Sequence, residues 1–393
     1  MNKTRRLFSL HSWFGLLSGV FLLLLGLSGS FLVFRDEIDH LANHTLLTVQ
    51  PPSMDGHSGN APCCPGTRHT PGTRSLAQFY RIITDRYPNL DGIAWLNPNA
   101  RPEEAYDFRL YLNDVHLFTY DLGLISFNPY TGAILREGKS SDFTPSLIEW
   151  IYQFHFSFQL GTPGAALTAI FGLTMLVSLL TGLVVYRKSI WKVLFFRARL
   201  NRKNWRTLSS DLHRIVGVWA LLLNSVIFFT GFWMNLFAFK PASWHNEITP
   251  TKPNTLTGLS LDTLYRKALA QMPDLQPSSV YLPTQPERMF RVSGPVNGQL
   301  ALFGGSNSVS LDGQTGAVKQ VSRLSQKGTW AKIEATFFPL HVGNYGGLPV
   351  KILYVLIGLT PGLLSITGFL LWWRRMSKPV RKVTRTAILA KSV

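Results

Sequence analysis

The sequence predicts a membrane protein: four transmembrane α-helices in two parallel repeats, with an α+β module outside the membrane in each repeat. Three observations predict it. Four apolar runs, near Trp13–Phe34, Gly164–Tyr186, Ile215–Phe239 and Val350–Trp373, approach or exceed the roughly 20 residues a helix needs to cross a bilayer. The positive charge is sorted to one side of those runs. The second half of the chain also repeats the first.

The elements follow in chain order. Residues 1–34 hold the first span. Its opening, MNKTRR, could begin a signal peptide. The apolar stretch outruns the usual 7–15 residues of a signal core, about twofold, and no Ala-x-Ala site follows, so a retained helix is expected. Residues 35–162 form the first outer module, interrupted by a Pro/Gly/Ser-rich insert at 50–72 that reads as a surface loop. Residues 163–188 form the second span, 189–212 a basic loop and 213–239 the third span. Residues 240–348 form the second outer module, 349–374 the fourth span and 375–393 a basic tail.

The 393 residues carry a net charge of +18. Nineteen of the 39 Lys and Arg lie before the first span, between the second and third, or after the fourth, beside a single acid, Asp211. The remaining segments hold 20 bases and 20 acids. The positive-inside rule therefore puts both termini in the cytoplasm and both modules outside. A pI near 10.1 can point to nucleic acid. Here the bases sit in short juxtamembrane segments, which indicates topology and a lipid bilayer with anionic headgroups, with no nucleic-acid role.

The repeat runs residue to residue. His11, Gly15, Ser28 and Gly29 match His213, Gly217, Thr230 and Gly231 at an offset of 202. His155, Gly161, Pro163, Gly172, Thr181 and Gly182 match His341, Gly347, Pro349, Gly358, Thr367 and Gly368 at an offset of 186. Outside the spans, SLAQFYRIITDRYPNL (Ser75–Leu90) aligns with SLDTLYRKALAQMPDL (Ser260–Leu275). NPYTGAIL (Asn128–Leu135) aligns with LDGQTGAV (Leu311–Val318). Each module thus opens with an amphipathic helix and continues in alternating strand-like runs, DFRLYLND and HLFTYDL in the first, closing on a Thr-Gly turn into a last strand.

Four histidines recur in these matched motifs. His11 and His213 open helices that run outward, so both belong at the cytoplasmic face; His155 and His341 precede helices that run inward, so both belong at the outer face. Each pair draws one member from each half. Two imidazoles meeting across a pseudo-twofold axis suit a planar metal cofactor with two axial positions. Gly15 and Gly217, one turn after their histidines on the same helix face, would let a flat ring approach the backbone. The blander alternatives are an ordinary interfacial histidine and a Gly15-x-x-x-Gly19 helix-packing motif. Structural zinc wants four ligands, whereas each face offers two matched histidines and no cysteine. Six-coordinate haem iron needs only two, and with no Cys-x-x-Cys-His it would be non-covalent haem b, two per chain. His40, His44 and His245 lie near the outer face outside matched motifs, and His57, His69 and His116 read as solvated.

Cys63 and Cys64, the two cysteines, are adjacent and exclude a disulfide framework, a four-cysteine metal site and an Fe–S cluster. With Met54, His57 and His69 they form a soft-ligand set in the insert whose spacing matches no known cage. Trp150, Tyr152, Phe154, Phe156 and Phe158 crowd around His155, either shielding a cofactor or forming an interfacial aromatic belt. Asn224 lies mid-span and should face the bundle interior.

The helix motifs, including LHSWFGLLSGVFLLLLGLSGSFLVFRDEID, LHRIVGVWALLLNSVIFFTGF and LHVGNYGGLPVKILYVLIGLTPGLLSITGFLLWWRR, carry a resemblance. They resemble the PepSY-associated transmembrane family, and the Thr-Gly turns resemble those of its PepSY modules. The resemblance covers nearly the whole chain outside the insert and the tail. It implies an inner-membrane reductase with two b haems on His11, His213, His155 and His341, which reduces ferric siderophore in the periplasm and releases Fe2+. FHFSFQLG in the first half departs from LHVGNYGG in the second, so the two outer histidine environments should differ. No Gly-x-Gly-x-x-Gly follows a strand, so nothing here binds NAD or flavin, and the electron donor would be a quinone or a cytoplasmic reductase. Two other readings compete: a haem-free PepSY envelope sensor, assembly factor or peptide-binding protein, and a transporter, since parallel repeats occur there too. Against transport, the sequence shows no central ionisable residue and no broken-helix pair, Pro361 being one isolated candidate.

Overall fold

Long apolar stretches make the longest helices of this protein, and shorter amphipathic stretches and strand-like runs build the rest. The structure is a computed structural model that describes residues 3–52, 72–111, 123–138, 146–240, 244 and 258–377. In chain order the helices are α1 (Lys3–Leu32), α2 (Arg35–Ala42), α3 (His44–Leu47), α4 (Leu76–Arg86), α5 (Leu147–Ser157), α6 (Gly161–Leu194), α7 (Trp205–Trp219), α8 (Leu221–Met234), α9 (Leu261–Gln271), α10 (Thr329–Glu334), α11 (Phe337–Val342) and α12 (Gly347–Met376). The strands are β1 (Gly92–Trp95), β2 (Tyr106–Tyr111), β3 (Leu124–Phe127) and β4 (Ile134–Gly138), then β5 (Ser279–Pro283), β6 (Met289–Gly294), β7 (Asn307–Asp312) and β8 (Val318–Ser322). By contacts the chain forms two units, one of Met1–Gly26, Thr174–Ser225 and Leu359–Val393, the other of Leu27–Leu173 and Val226–Gly358.

Three helices, α1, α6 and α12, are long and apolar enough to cross a membrane, and α7 with α8 makes a fourth if that bent pair is one span. Leu17, Val20, Leu180, Leu222 and Leu356 stand exposed on them, as side chains facing lipid tails would.

The third span departs from expectation. In place of one helix over 213–239, α7 and α8 meet at a 67° bend. Ala220 sits at the break, its N–H bonded to the Val216 carbonyl at 2.9 Å. The physical cause is a change of character. α7 carries Arg206, Asp211, His213 and Arg214 and is amphipathic, whereas α8 is apolar apart from Asn224, Ser225 and Thr230. A helix with a charged face is poorly placed in hydrocarbon, so the axis turns where the charged stretch ends. The expectation of one continuous helix over 213–239 is therefore corrected. Pro361, the residue that signals a break in sequence, lies inside the continuous α12. No second break matches this one among the described residues, and transporter sites are built on paired breaks.

In the second unit, all eight strands join one antiparallel sheet in the order β4-β3-β2-β1-β5-β6-β7-β8. The two halves of the chain meet at β1 and β5, with Gly92 opposite Pro283 and Trp95 opposite Val280. Central β1 is buried throughout, while β2 alternates buried and half-buried side chains. Phe79 and Ile83 of α4 and Leu264 and Tyr265 of α9 pack with Trp95, Phe108, Phe127, Phe290, Val292 and Leu311 in one core. The Ser75 hydroxyl and the Gln78 side chain form a capping box on α4. Asp262 of α9 adds its carboxylate to the same N-terminus, accepting from the Leu76 and Ala77 N–H at 2.8 and 3.2 Å. Ala77 matches Asp262 in the repeat and cannot reciprocate.

The two Thr-Gly turns are built bond for bond alike. Asn128 Oδ1 accepts from the N–H of Tyr130 and Thr131, and Asp312 Oδ1 from those of Gln314 and Thr315. Gly132 and Gly316 take φ of +74° and +66°, where a Cβ is disfavoured. The expected strand HLFTYDL, most of the 50–72 insert with Met54, His57, Cys63, Cys64 and His69, and also His116, His245 and most of the basic tail lie outside the described residues.

Candidate functional site: two facing histidine pairs

The first unit brings His11 of α1 and His213 of α7 together, with ring centroids 6.0 Å apart and planes at 80°. The second unit brings His155 of α5 and His341 of α11 together at 6.2 Å and 55°. A ring nitrogen lies about 1.1 Å from its centroid and binds a metal at about 2.0–2.1 Å, so two imidazoles on opposite sides of one ion have centroids about 6.2–6.4 Å apart. The second pair has that spacing and the first is about 0.2 Å shorter.

The outer ring nitrogen of each histidine is held by the helix it packs on. His11 Nδ1 lies 2.8 Å from the Ser178 carbonyl of α6, and His341 Nδ1 lies 3.0 Å from the Ile227 carbonyl of α8. A carbonyl can only accept, so each Nδ1 carries the proton and each Nε2 keeps its lone pair. His213 Nδ1 lies 2.9 Å from Thr367 Oγ1, whose own proton goes to the Leu363 carbonyl at 2.8 Å. That hydroxyl therefore accepts as well. His155 Nδ1 lies 3.0 Å from Ser28 Oγ of α1.

A glycine backs every ring. Built on ideal geometry, a Cβ at Gly29 would lie 2.8 Å from His155 Cε1, and one at Gly231 2.9 Å from His341 Cε1. At Gly182 it would lie 3.0 Å from His11 Cε1, and at Gly368 3.4 Å from His213 Cε1. The Ser-Gly and Thr-Gly pairs that recur in the sequence are thus cradles for histidines on a different helix of the same half. The sequence shows the recurrence but not what faces it, and Gly182 and Gly368 escape a reading confined to one helix.

Gly15 and Gly217 have another place. A Cβ on either would meet protein only at 3.9 and 3.6 Å, which is ordinary contact. Both line a cleft of about 1080 Å³, counting its open mouth, together with His11 and His213. Gly19, one turn on, packs against Ser365 of α12, so the two glycines of that motif divide between cleft wall and helix packing. Ser12, Tyr186, Arg214, Ser365, Trp372 and Arg375 supply further walls of the cleft.

Around the second pair, Trp150 stacks on Phe154 and Phe158 meets Phe154 edge-on. Phe158 and Gln159 end α5 in the left-handed region, at φ of 50° and 62°, where the other half uses Gly343 after α11. The departure of FHFSFQLG from LHVGNYGG is thus a difference in how the backbone leaves each histidine helix. Phe229, Trp233, Trp330 and Phe337 form a separate aromatic cluster with Phe337 one turn before His341. His40 and His44 are exposed on α2 and α3 and join neither pair. Asn224 is buried and donates to Thr360 Oγ1 at 2.9 Å.

Among the described residues no group of three or more His, Cys, Asp or Glu could hold a bare metal ion. Two-histidine sets fit instead a metal whose remaining ligands come from a macrocycle. The glycine cradles, the rings held through Nδ1 and the cleft beside His11 and His213 fit a haem in that respect. A family model described as the PepSY-associated TM region matches residues 8–375. No curated protein matches the chain.

Proposed function

The chain belongs to the PepSY-associated TM region family, a family of multi-pass membrane proteins, and on that premise we propose that it is a di-haem b electron-transfer protein of the bacterial inner membrane. In this reading it reduces ferric siderophore on the periplasmic side and releases the iron as Fe2+. The observation that carries it is the repeated geometry: two cross-half histidine pairs at 6.0 and 6.2 Å, each ring anchored through Nδ1 and backed by glycine.

His11 with His213, and His155 with His341, would each hold one haem, which supplies one-electron chemistry when bound. The protein's share is to orient the rings and set their basicity. The Ser178 and Ile227 carbonyls fix the tautomer and raise the donor strength of Nε2 in His11 and His341. Gly29, Gly182, Gly231 and Gly368 let each ring lie flush on a neighbouring helix, which limits its rotation. Charge sorting supports both termini in the cytoplasm, which places the first pair inside and the second outside. The matching turns and helix-strand order support two parallel repeats with a PepSY-like module in each. The electron donor is then a quinone or a cytoplasmic reductase.

The test is an optical spectrum of the detergent-purified full chain, expressed with ample haem, before and after dithionite. A Soret band that shifts on reduction, with about two haems per chain, is the expected result. His11→Ala and His155→Ala should each lose one. A colourless protein would sink the proposal and favour a haem-free envelope sensor or peptide-binding protein.

A further inference from the structure

The cleft beside His11 and His213 is built from matched positions of the two halves. Gly15 faces it with Gly217, Gly182 with Gly368, and Tyr186 with Trp372. Two of the wall positions that differ between the halves change charge, and both put a cation on the second half. Arg214 follows His213 where the first half has Ser12 after His11, and Arg375 occupies the place of Ser189. Arg214 binds Asp211 Oδ1 through Nη2 at 2.7 Å, but its Nε is buried and has no hydrogen-bond partner among the described residues. The Arg375 guanidinium lies over the Phe8 ring, 4.1 Å from its centroid, which fixes it at the cleft wall.

A buried N–H with no acceptor costs about 1–3 kcal/mol, so an acceptor supplied by a ligand stabilises the site. A guanidinium is the group best matched to a carboxylate. Haem b bears both of its carboxylates on one edge of an otherwise nearly symmetric ring. In a pseudo-twofold cleft such a ring has two ways to lie, and cations on one half alone distinguish them. Resting on the reading that this pair holds a haem, we propose that Arg214 and Arg375 receive its two propionates and set which way round it sits.

The test is a spectroelectrochemical titration of the purified full chain, with haem content measured in parallel. Removing a cation beside the ligand carboxylates favours the ferric state. Arg214→Gln and Arg375→Gln should each raise the ferric-to-ferrous ratio of one haem about tenfold at fixed poise, a fall of about 59 mV for one electron. The other haem should titrate as in wild type, and Arg214→Lys should lie closer to wild type than Arg214→Gln. Lys188→Gln, an equal charge loss at an exposed position of α6 outside the cleft wall, should move neither. Arg375 is exposed and makes no ion pair with Asp211, so its variant serves if Arg214→Gln fails to fold. Wild-type titrations in the Gln variants that can be purified, or an equal shift in Lys188→Gln, would overturn the assignment while leaving the haem reading intact. A wild-type chain without haem would instead remove the reading on which it rests.

Discussion

His155 and Gly29 meet edge to backbone: a Cβ on Gly29 would stand 2.8 Å from the imidazole Cε1, closer than side-chain carbons come to one another. The same relation recurs for His341 and Gly231, His11 and Gly182, and His213 and Gly368, with the clearance rising to 3.4 Å. An alanine scan should therefore show graded damage. Gly29→Ala and Gly231→Ala should each lose most of one haem, Gly182→Ala less, and Gly368→Ala least. Overpacking of this kind costs typically about 1–3 kcal/mol. Haem content per chain is the readout. Gly15→Ala and Gly217→Ala separate the roles, because their Cβ atoms meet no tight protein contact; they should lower haem content while leaving the haem-free chain's melting temperature unchanged.

Thr367 holds His213 through an accepting hydroxyl. Thr367→Val removes the acceptor at nearly constant volume, and a lost outer partner typically weakens ligand binding about 10–100-fold. We expect Thr367→Val to lose haem under dilution at least tenfold faster than wild type, and Thr367→Ser to restore retention. Equal retention in all three would show that the hydroxyl does not position the ring.

Asp312 organises its turn as Asn128 organises the matching one, but it is charged. Backbone N–H donors, chiefly that of Thr315, and the Lys319 ammonium hold its carboxyl down at about 2, against an ordinary value of 3.8. A depressed carboxylate stabilises the fold fully above the ordinary value, and that contribution is lost as the pH falls through about 2. Melting curves of the purified chain between pH 5 and pH 2 should therefore show a decline that Asp312→Asn reduces, since asparagine keeps the acceptor and loses the titration. Asp312→Ala should melt lower than both at neutral pH.

Arg136 is buried among Asp39, Asp107 and Ser126: Nη1 reaches both Asp39 oxygens at 3.0 and 2.9 Å, Nη2 reaches Asp107 at 3.3 Å, and Nε donates to Ser126 at 3.0 Å. This ties α2 to β2, β3 and β4. Removing one partner of a buried ionic set costs about 3–5 kcal/mol, because the remaining charges are left without compensation. Arg136→Met should therefore lower the melting temperature strongly. Burial already pushes the Asp107 carboxyl above its ordinary value, and the Arg136 charge opposes that rise. Without the guanidinium the carboxyl rises further, so the deficit of Arg136→Met should shrink on acidification as Asp107 takes up a proton. A deficit that grows on acidification would contradict this account.

Much of this organisation was legible in the sequence because it is periodic. Spans follow from apolar length, and the repeat from identical spacings such as the 18 residues from His11 to Gly29 and from His213 to Gly231. The pairing of His11 with His213 and of His155 with His341 was legible from the repeat, because each pair joins matched positions of the two halves of the sequence. The bend at Ala220 was not legible. No proline marks it, and it arises because an amphipathic helix and an apolar one suit different surroundings. Nor was the cradle role of Gly182 and Gly368 legible, because a one-helix reading finds only glycines near a histidine in sequence, here Gly15 and Gly217.

Hydropathy, charge and spacing, which are properties of the chain taken locally, determined the candidate spans, the paired histidines and the matching Thr-Gly turns. The tertiary structure alone decided which helix backs each ring and which acceptor holds each Nδ1. It also decided that the two modules share one sheet through β1 and β5. Those outcomes depend on contacts between residues up to 191 positions apart, such as Gly92 with Pro283. Local pattern carries no record of them, because packing selects among partners that the sequence makes equally available.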